Sequence, residues 1–542
     1  FQALHAYSPY HRVKDGTSYP AVLLLTGEKD GRVNPAHSRK MAARLQAATR
    51  SGRPVLLRTS AKSGHGIGTA FSEKIATLAD VYAFVCEQLG VPFTVIERGP
   101  WSGGITPTTA VVKAKLNDEG MKARLVVSEK KSLGSPSYFG PVETVTSNAN
   151  IAAFEATRLK PDTQYYYALE VDGRLDRARR GEFKTFPPAG QPASFRFAWA
   201  SCGKTASTNA SYDLIRKNRP LLYLNCGDFH YLDISTNSLA AFRAAYDTVL
   251  ASVQQADLYR TIPFDYVWDD HDFGGNNSTK KATTKPAVSM AYQEYVPHYP
   301  LAEGSGVVSP YHSFAIGRVK FIVTDLRSER DDDKKKDDAN KSMMGAKQKE
   351  WFKQQLLESN GQYPLIIWVS SVPWLGVVNT NYYPITNNTY GFIHHTNLVE
   401  LYKKTNRPSD DQEHWSGYAT ERREIADFIK SNHIAGVAII HGDSHMLAAD
   451  DGRNGDFATG GGAPIPVMCA APLDQNPSLK GGPYSQGVYR VRQGEGCFGL
   501  LDIDDKGNRI AVRYSGRNNK NEEKITLKFS VPARAPAGRS KP

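Results

Sequence analysis

LLYLNCGDFHYLD (221–233) decides the fold class of this chain. Its apolar opening, LLYL, reads as a buried strand, and the Gly-Asp that follows breaks it into a turn. Three other stretches repeat the pattern: FRFAWASCGK (195–204), FDYVWDDHDFGGNN (264–277) and GVAIIHGDSHM (436–446). Each ends an apolar run with Cys, Asp, Tyr, His or Asn, the residue types that hold metal ions. Open α/β sheets place their chemistry just past the carboxyl ends of strands. Together the four segments predict an α/β domain with a metal-dependent hydrolytic site.

Asp228 and Tyr231 stand three positions apart, so one loop turns both toward one cation. A carboxylate can bridge two metals, whereas a phenolate favours a hard, high-charge ion such as ferric iron. Cys202, at another strand end and followed by glycine, offers a thiolate. Asp269, Asp270, His271, Asp272 and Asn276 fall within eight positions. Carboxylates packed so closely repel one another unless a cation, a proton or an arginine offsets them. Asp443 and His445 alternate, which on an extended segment points both the same way. Arg327, in TDLRS (324–328), either binds a phosphoryl oxygen bidentately or pairs with Asp325. Hard oxygen donors with one thiolate and one phenolate fit Fe3+ beside Ca2+ or another divalent ion. The C-x-x-C and H-E-x-x-H spacings of zinc sites do not occur.

With 542 residues the chain should hold more than one core, because single cores stop growing near ~250–300 residues. The net charge of +12 is spread along it and favours anionic partners: a phosphoester small molecule or an anionic polymer. No Arg-rich helix or RNA-binding aromatic signature accompanies that charge, so specific nucleic-acid recognition is not expected. Five cysteines give no disulfide framework, although a Cys469–Cys497 bridge is compatible with the sequence. No apolar run reaches the ~18 residues of a membrane span. The sequence opens at Phe1 without a visible signal peptide.

The chain reads as three pieces and a tail. Residues 1–91 form a small α/β piece, with strands at AVLLLTG (21–27) and PVLLRTS (54–60) and an amphipathic helix at 73–90 that ends on glycine. Residues 99–190 alternate with period two between turn residues, which favours a small β-sandwich; LKPDTQYYY (159–167) resembles fibronectin type III-like modules. From 194 to 530 strands alternate with helices. The mixed-charge run ERDDDKKKDD (329–338) reads as a solvated loop, and 531–542 as a flexible tail.

SCGK, GDFHY, WDDHDFGGN, TDLRS, MGAKQKEWFKQQLLES (344–359), WSGYATERREIADFI (415–429) and GDSHM, in this order, resemble the alkaline phosphatase D family. GPWSGGITPTTAVV (99–112) resembles the start of that family's N-terminal domain, so the likeness covers about 99–530. It implies an α/β-sandwich metallophosphatase preceded by an Ig-like β-sandwich. It also implies phosphodiesterase activity, often with monoesterase activity, by attack of an acidified water in line at phosphorus. By motif, Cys202, Asp228, Tyr231 and His445 would hold ferric iron. Asp228 would bridge, and Asp443 with Asn276 or Asp270 would hold the divalent ion or ions, Ca2+ or another. Arg327, Asp270 and His271 would offset charge or move protons. The resemblance further implies export to the periplasm or the cell exterior.

Residues 1–91 tell a different story. AYSPYHRVK, YPAVLLLTGEKDGRVNPAHS and KSGHGIGTA resemble the last part of prolyl oligopeptidase-type serine peptidases, and Asp30 and His65 match that family's triad Asp and His. No G-x-S-x-G nucleophile turn occurs in the chain, so a partial α/β-hydrolase fragment without peptidase activity is expected. Two rival readings are a serine peptidase assembled in trans and a non-catalytic module that binds anionic polymers.

Overall fold

A computed structural model describes residues 1–66, 69–90, 94–376, 390–393 and 410–533, which divide into two units, Phe1–Thr94 and Val95–Pro542. In the first unit, parallel strands Val22–Gly27 and Val55–Ser60 pair in register from Val22↔Val55. Helix Ala36–Ala48 contributes Leu45 and Ala48 to a small core with Val13 and Val55. The expected amphipathic helix is Phe71–Leu89, ended by Gly90 in the left-handed conformation (φ +66°). None of its residues is buried; Phe71, Tyr82 and Leu89 are largely exposed.

The second unit is built on two facing sheets. The first runs in the order Glu523–Pro532, Arg509–Asn518, Cys497–Asp505, Phe195–Ala200, Tyr223–Asn225, Phe264–Tyr266, Ile96–Gly103, Ala110–Leu116, Ile151–Ala156. The second has a parallel centre of Val319–Val323, Leu365–Val369, Val437–His441 and Val467–Ala470, flanked by antiparallel strands. Runs such as LIIWV (365–369) and VAIIH (437–441) are buried along their whole length, as central strands covered on both faces must be. Phe197, Trp199, Phe321, Val323, Ile367 and Ile440 fill the space between the sheets. Helices Leu239–Leu250, Val253–Thr261 and Lys285–Tyr295 cover one outer face. Helices Gly345–Ser359 and Ala419–Ser431 cover the other. This layering of helix, sheet, sheet and helix is the expected α/β sandwich.

The strands expected between 99 and 190 are present but divide over two sheets. Three of them extend the first large sheet through the pair Phe264↔Gly103. The others form a separate antiparallel sheet of Gly181–Lys184, Gln164–Val171, Lys122–Ser128 and Ser137–Glu143, with Arg174–Leu175 at its side. This region therefore shares a sheet and a core with the part that follows from residue 194. The 329–338 run departs from a solvated loop at its start, where Arg330 and Asp331 are buried. The last strand continues to Pro532, and residues 534–542 of the expected tail lie outside the described residues. Cys469 and Cys497 are not bridged: all five cysteines are free thiols, and these two point at backbone carbonyls of Met446 and Ala471.

Lys113, on strand Ala110–Leu116, is only 6% exposed and donates to the Gln293 carbonyl at 2.5 Å. Burial, only partly offset by Glu294, pulls its pKa from 10.5 to about 7. Between those values the unfolded chain holds a proton that the folded chain has lost, so stability rises with pH across that window. Lys113→Met is expected to stabilise the fold by roughly 4 kcal/mol below pH 7, with the gain fading toward pH 10.5. Thermal melts at both ends of the window check this, and an equal gain at both would contradict it.

Candidate metal centre

Three neighbouring parallel strands deliver their ends side by side, in the register Ala200↔Asn225↔Tyr266. Cys202 follows the first, Asp228 the second, and Asp269 and Asp270 the third. From the facing sheet come Arg327, Ser371 and the pair Asp443 and His445, each just past a strand's carboxyl end. The turns are tight. A Cβ on Gly227 (φ +98°) would collide with Asp269, and one on Gly442 would collide with Ser201. Cys202, Asp228, Asp443 and His445 themselves have left-handed backbones, at φ +57°, +55°, +55° and +51°. Such strain costs about 1–3 kcal/mol per residue and gathers at functional sites. It also corrects the expected extended D-x-H segment: Asp443 and His445 face the site from a coiled turn.

Asp228 is the hub. Its Oδ2 accepts the Tyr231 hydroxyl at 2.6 Å, and that hydroxyl lies 3.2 Å from His445 Nε2. Possible ligand atoms of Cys202, Asp228 and His445 lie within 4.8 Å of one another. The same holds for Asp228 with Asp270 and His271, for Asp228 with Asp269 and Asp443, and for Glu413 with His414 and Asp443. Asp228 Oδ1, Asp269 Oδ2 and Glu413 Oε2 are buried without hydrogen-bond partners. Orphaned carboxylate oxygens are costly unless something positive meets them.

The electrostatics agree. Burial, then Asp270 and Asp269, push the Asp228 carboxyl well above its usual range. Burial likewise raises Asp269, and Arg327 only partly offsets it, leaving a pKa of about 6. For Asp270 burial is outweighed by Arg327 and His271, which hold it at about 2. Asp443 is held well below the usual range: burial raises it, but Lys480 at 3.0 Å and His414 at 2.8 Å prevail. Burial, with Asp228 and Asp443 nearby, keeps the Cys202 thiol protonated, and burial and Lys480 keep His445 neutral at about 4. Taken together, the cluster is too acidic to remain fully ionised unaided. A hard cation, with thiolate, phenolate and imidazole donors on one side, fits the donor set.

Arg327 is fully buried; its Nε is paired with Asp269, and its terminal nitrogens lie 3.8 Å from Asp270 and Glu413. His271 packs on Tyr231 with ring centroids 4.0 Å apart, and its Nδ1 lies 2.6 Å from Asp233. Asn276 is not with them: it is exposed and lines a surface cavity with Lys281 and Asp332. Asn277 instead donates its backbone N–H to Asp270 at 2.6 Å.

The model of the PhoD-like phosphatase family matches residues 197–476, more than half of the chain and every residue of this centre except Lys480. The chain belongs to the PhoD-like phosphatase family. Among similar curated proteins is the alkaline phosphatase D of Bacillus subtilis (strain 168), 24% identical over 409 residues, covering 66% of this chain and 65% of that protein. A solved structure of PhoD superposes with a TM-score of 0.65 at 18% identity, covering 81% of this chain and 91% of the other. A purple acid phosphatase from yellow lupin seeds shares the fold with a TM-score of 0.53 at 12% identity, over 80% and 75% of the two chains.

Residues 1–92 match the model of the prolyl oligopeptidase family instead. They are 40% identical over 91 residues to a prolyl endopeptidase of Elizabethkingia meningoseptica, which is 17% of this chain and 13% of that protein. Here Asp30 and His65 do meet, with His65 Nδ1 3.0 Å from Asp30 Oδ2.

Within this PhoD-like phosphatase domain, three residues that meet the cluster were not singled out from the sequence, Glu413, His414 and Lys480. Asp269 was visible in the acidic run, but nothing separated it from Asp270 and Asp272. Asp272 proves to be structural, capping the short helix Asp270–Phe273. Glu413 and His414 sit just ahead of WSGY, and their adjacency was the one available signal. Lys480 comes from the SLKGG loop, whose sequence carries none.

Proposed function

We propose that this chain is a metal-dependent phosphoesterase that hydrolyses phosphodiesters, and monoesters besides, at a centre for two cations that would share Asp228 as a ligand. The membership of Asp228 in three of the four ligand groups carries this reading. Cys202, Asp228, Tyr231 and His445 would hold ferric iron, and Asp228, Asp269, Asp270 and Asp443 a calcium-type ion, with Asn276 set aside. Bound there, the cations would acidify a water and neutralise charge on the phosphoryl oxygens. Arg327 holds Asp269 in place, and its terminal nitrogens, which lack hydrogen-bond partners, can donate to a phosphoryl oxygen. His271, steadied by Asp233, is placed to hand a proton to the leaving oxygen. His271→Ala should lower kcat about 100-fold while KM changes little. Steady-state kinetics on a chromogenic diester would show this, and a pure KM effect would instead make His271 a substrate-binding residue. Elemental analysis of the purified protein tests the metals: iron and calcium together are expected, and zinc would overturn the assignment.

The β-rich stretch 99–190 would act as a support for the catalytic stretch that follows from 194. Export is proposed with the family likeness. No helix among the described residues is long and apolar enough to cross a membrane. For residues 1–91 a peptidase role lacks a nucleophile, since an Asp–His pair has nothing to activate. A serine-directed fluorophosphonate should therefore leave the chain unlabelled, and labelling would revive the trans-assembled peptidase.

A further inference from the structure

Of the first sheet's parallel strands, the candidate metal centre takes only the carboxyl ends. At their amino ends lies a second, separate cavity of about 730 Å³, reached by Ser194–Arg196, Pro220–Leu221 and Ile262–Pro263. That volume is in the range of small-molecule sites, roughly 300–1,000 Å³. Six cations line it, Lys131, Lys184, Arg196, Arg216, Lys217 and Arg219, against two carboxylates, Asp162 and Glu182. Some of this charge is already matched. Arg196 is paired bidentately with Asp502, Lys184 with Asp162 at 2.6 Å, and Arg216 with Asp213 at 2.9 Å.

Lys131, Lys217 and Arg219 have no partner among the described residues, and Glu182 alone opposes them. Arg216 Nε, turned from Asp213, is buried without a hydrogen-bond partner. Arg219, at φ +50°, is the left-handed residue that ends helix Ala210–Lys217, which brings its side chain to the cavity rim. A smaller cavity of about 240 Å³ adjoins through Lys131 and Tyr166 and adds Arg177 and Arg180. The floor is apolar, from Phe183, Pro187, Phe195, Leu221, Ile262 and Pro263.

We infer that this cavity is a binding site for a small molecule carrying two or more phosphate groups, distinct from the catalytic centre. Several cations around one cavity suit a multiply charged anion better than a single one, and the cavity's volume suits a small molecule. The bland alternative is that Arg216 and Lys217 merely complement the C-terminal dipole of helix Ala210–Lys217. That role would affect stability but not anion binding.

Calorimetric titration of the full chain with inorganic tripolyphosphate tests the inference. The metal centre is silenced by Asp228→Ala, and the cavity is altered separately by Lys217→Glu with Arg219→Glu, or by Lys131→Glu. Tripolyphosphate should bind Asp228→Ala as tightly as the parent chain, and at least tenfold more weakly to either cavity variant. Diester turnover should be unchanged in the cavity variants, which also shows that they fold. The single Lys131→Glu change lies on a different segment and serves if the double variant does not fold. Tighter binding of a nucleoside triphosphate than of tripolyphosphate would mean that the apolar floor takes a base; equal binding would mean that phosphate groups suffice. Loss of binding in Asp228→Ala, or full binding in the cavity variants, would overturn the site.

Discussion

Asp228→Ala should abolish diester hydrolysis, by about 1,000-fold or more, and strip the bound metal from the protein. The expectation follows from position. Asp228 is buried, holds the Tyr231 hydroxyl, and belongs to the thiol–imidazole group and to both carboxylate groups on its other side. Removing it takes a donor from both proposed cations and leaves Asp269, Asp270 and Asp443 without their common neighbour. Asp228→Asn should retain the shape yet still lose metal, because the bridging negative charge is gone. Turnover together with elemental analysis reads both effects. Full activity with full metal content in Asp228→Ala would misplace the centre.

Arg327→Leu should be the most damaging single change to stability, by about 3–5 kcal/mol. The side chain is fully buried, and its charge holds Asp269 directly and Asp270 and Glu413 at 3.8 Å. Losing it leaves buried carboxylates uncompensated, which costs far more than the loss of a surface ion pair. The same change should raise the Asp270 pKa from about 2, since Arg327 is what outweighs its burial. Asp270 would then take up a proton at higher pH than in the parent. The variant's deficit should therefore be largest near neutral pH and shrink as acid protonates Asp270 in both states. Thermal melts across pH check this, and a small, pH-independent loss would show that the arginine is not neutralising the cluster.

The positions of the strands could be read from the sequence because buried central strands are continuous apolar runs, as at FRFA, LLYL and VAII, each stopped by a turn. The proximity of Cys202 to Asp228 and Tyr231 follows from the same pattern, since neighbouring parallel strands in register bring their ends together; His445 reaches them from the facing sheet, which no local pattern reports. The continuation of the large sheet into strand Ile96–Gly103 was hidden. It rests on the single pair Phe264↔Gly103, and no local pattern reports which sheet a strand edge joins. Lys480 and Glu413 were hidden because loop residues reach a site by tertiary folding alone. Asn276 lies apart from the cluster because the chain turns at Gly275 (φ +102°), so that the Asn277 backbone N–H, not the Asn276 side chain, meets Asp270. The left-handed turns at Asp443 and His445 left no trace either, as both residues also occur in extended segments.

The most direct measurement is hydrolysis of bis(p-nitrophenyl) phosphate by the purified protein, repeated after calcium chelation and after calcium is restored. Turnover that disappears on chelation and returns with calcium is the predicted result. Turnover that survives chelation, or none in any state from protein that retains its iron, would contradict a two-cation phosphodiesterase centre.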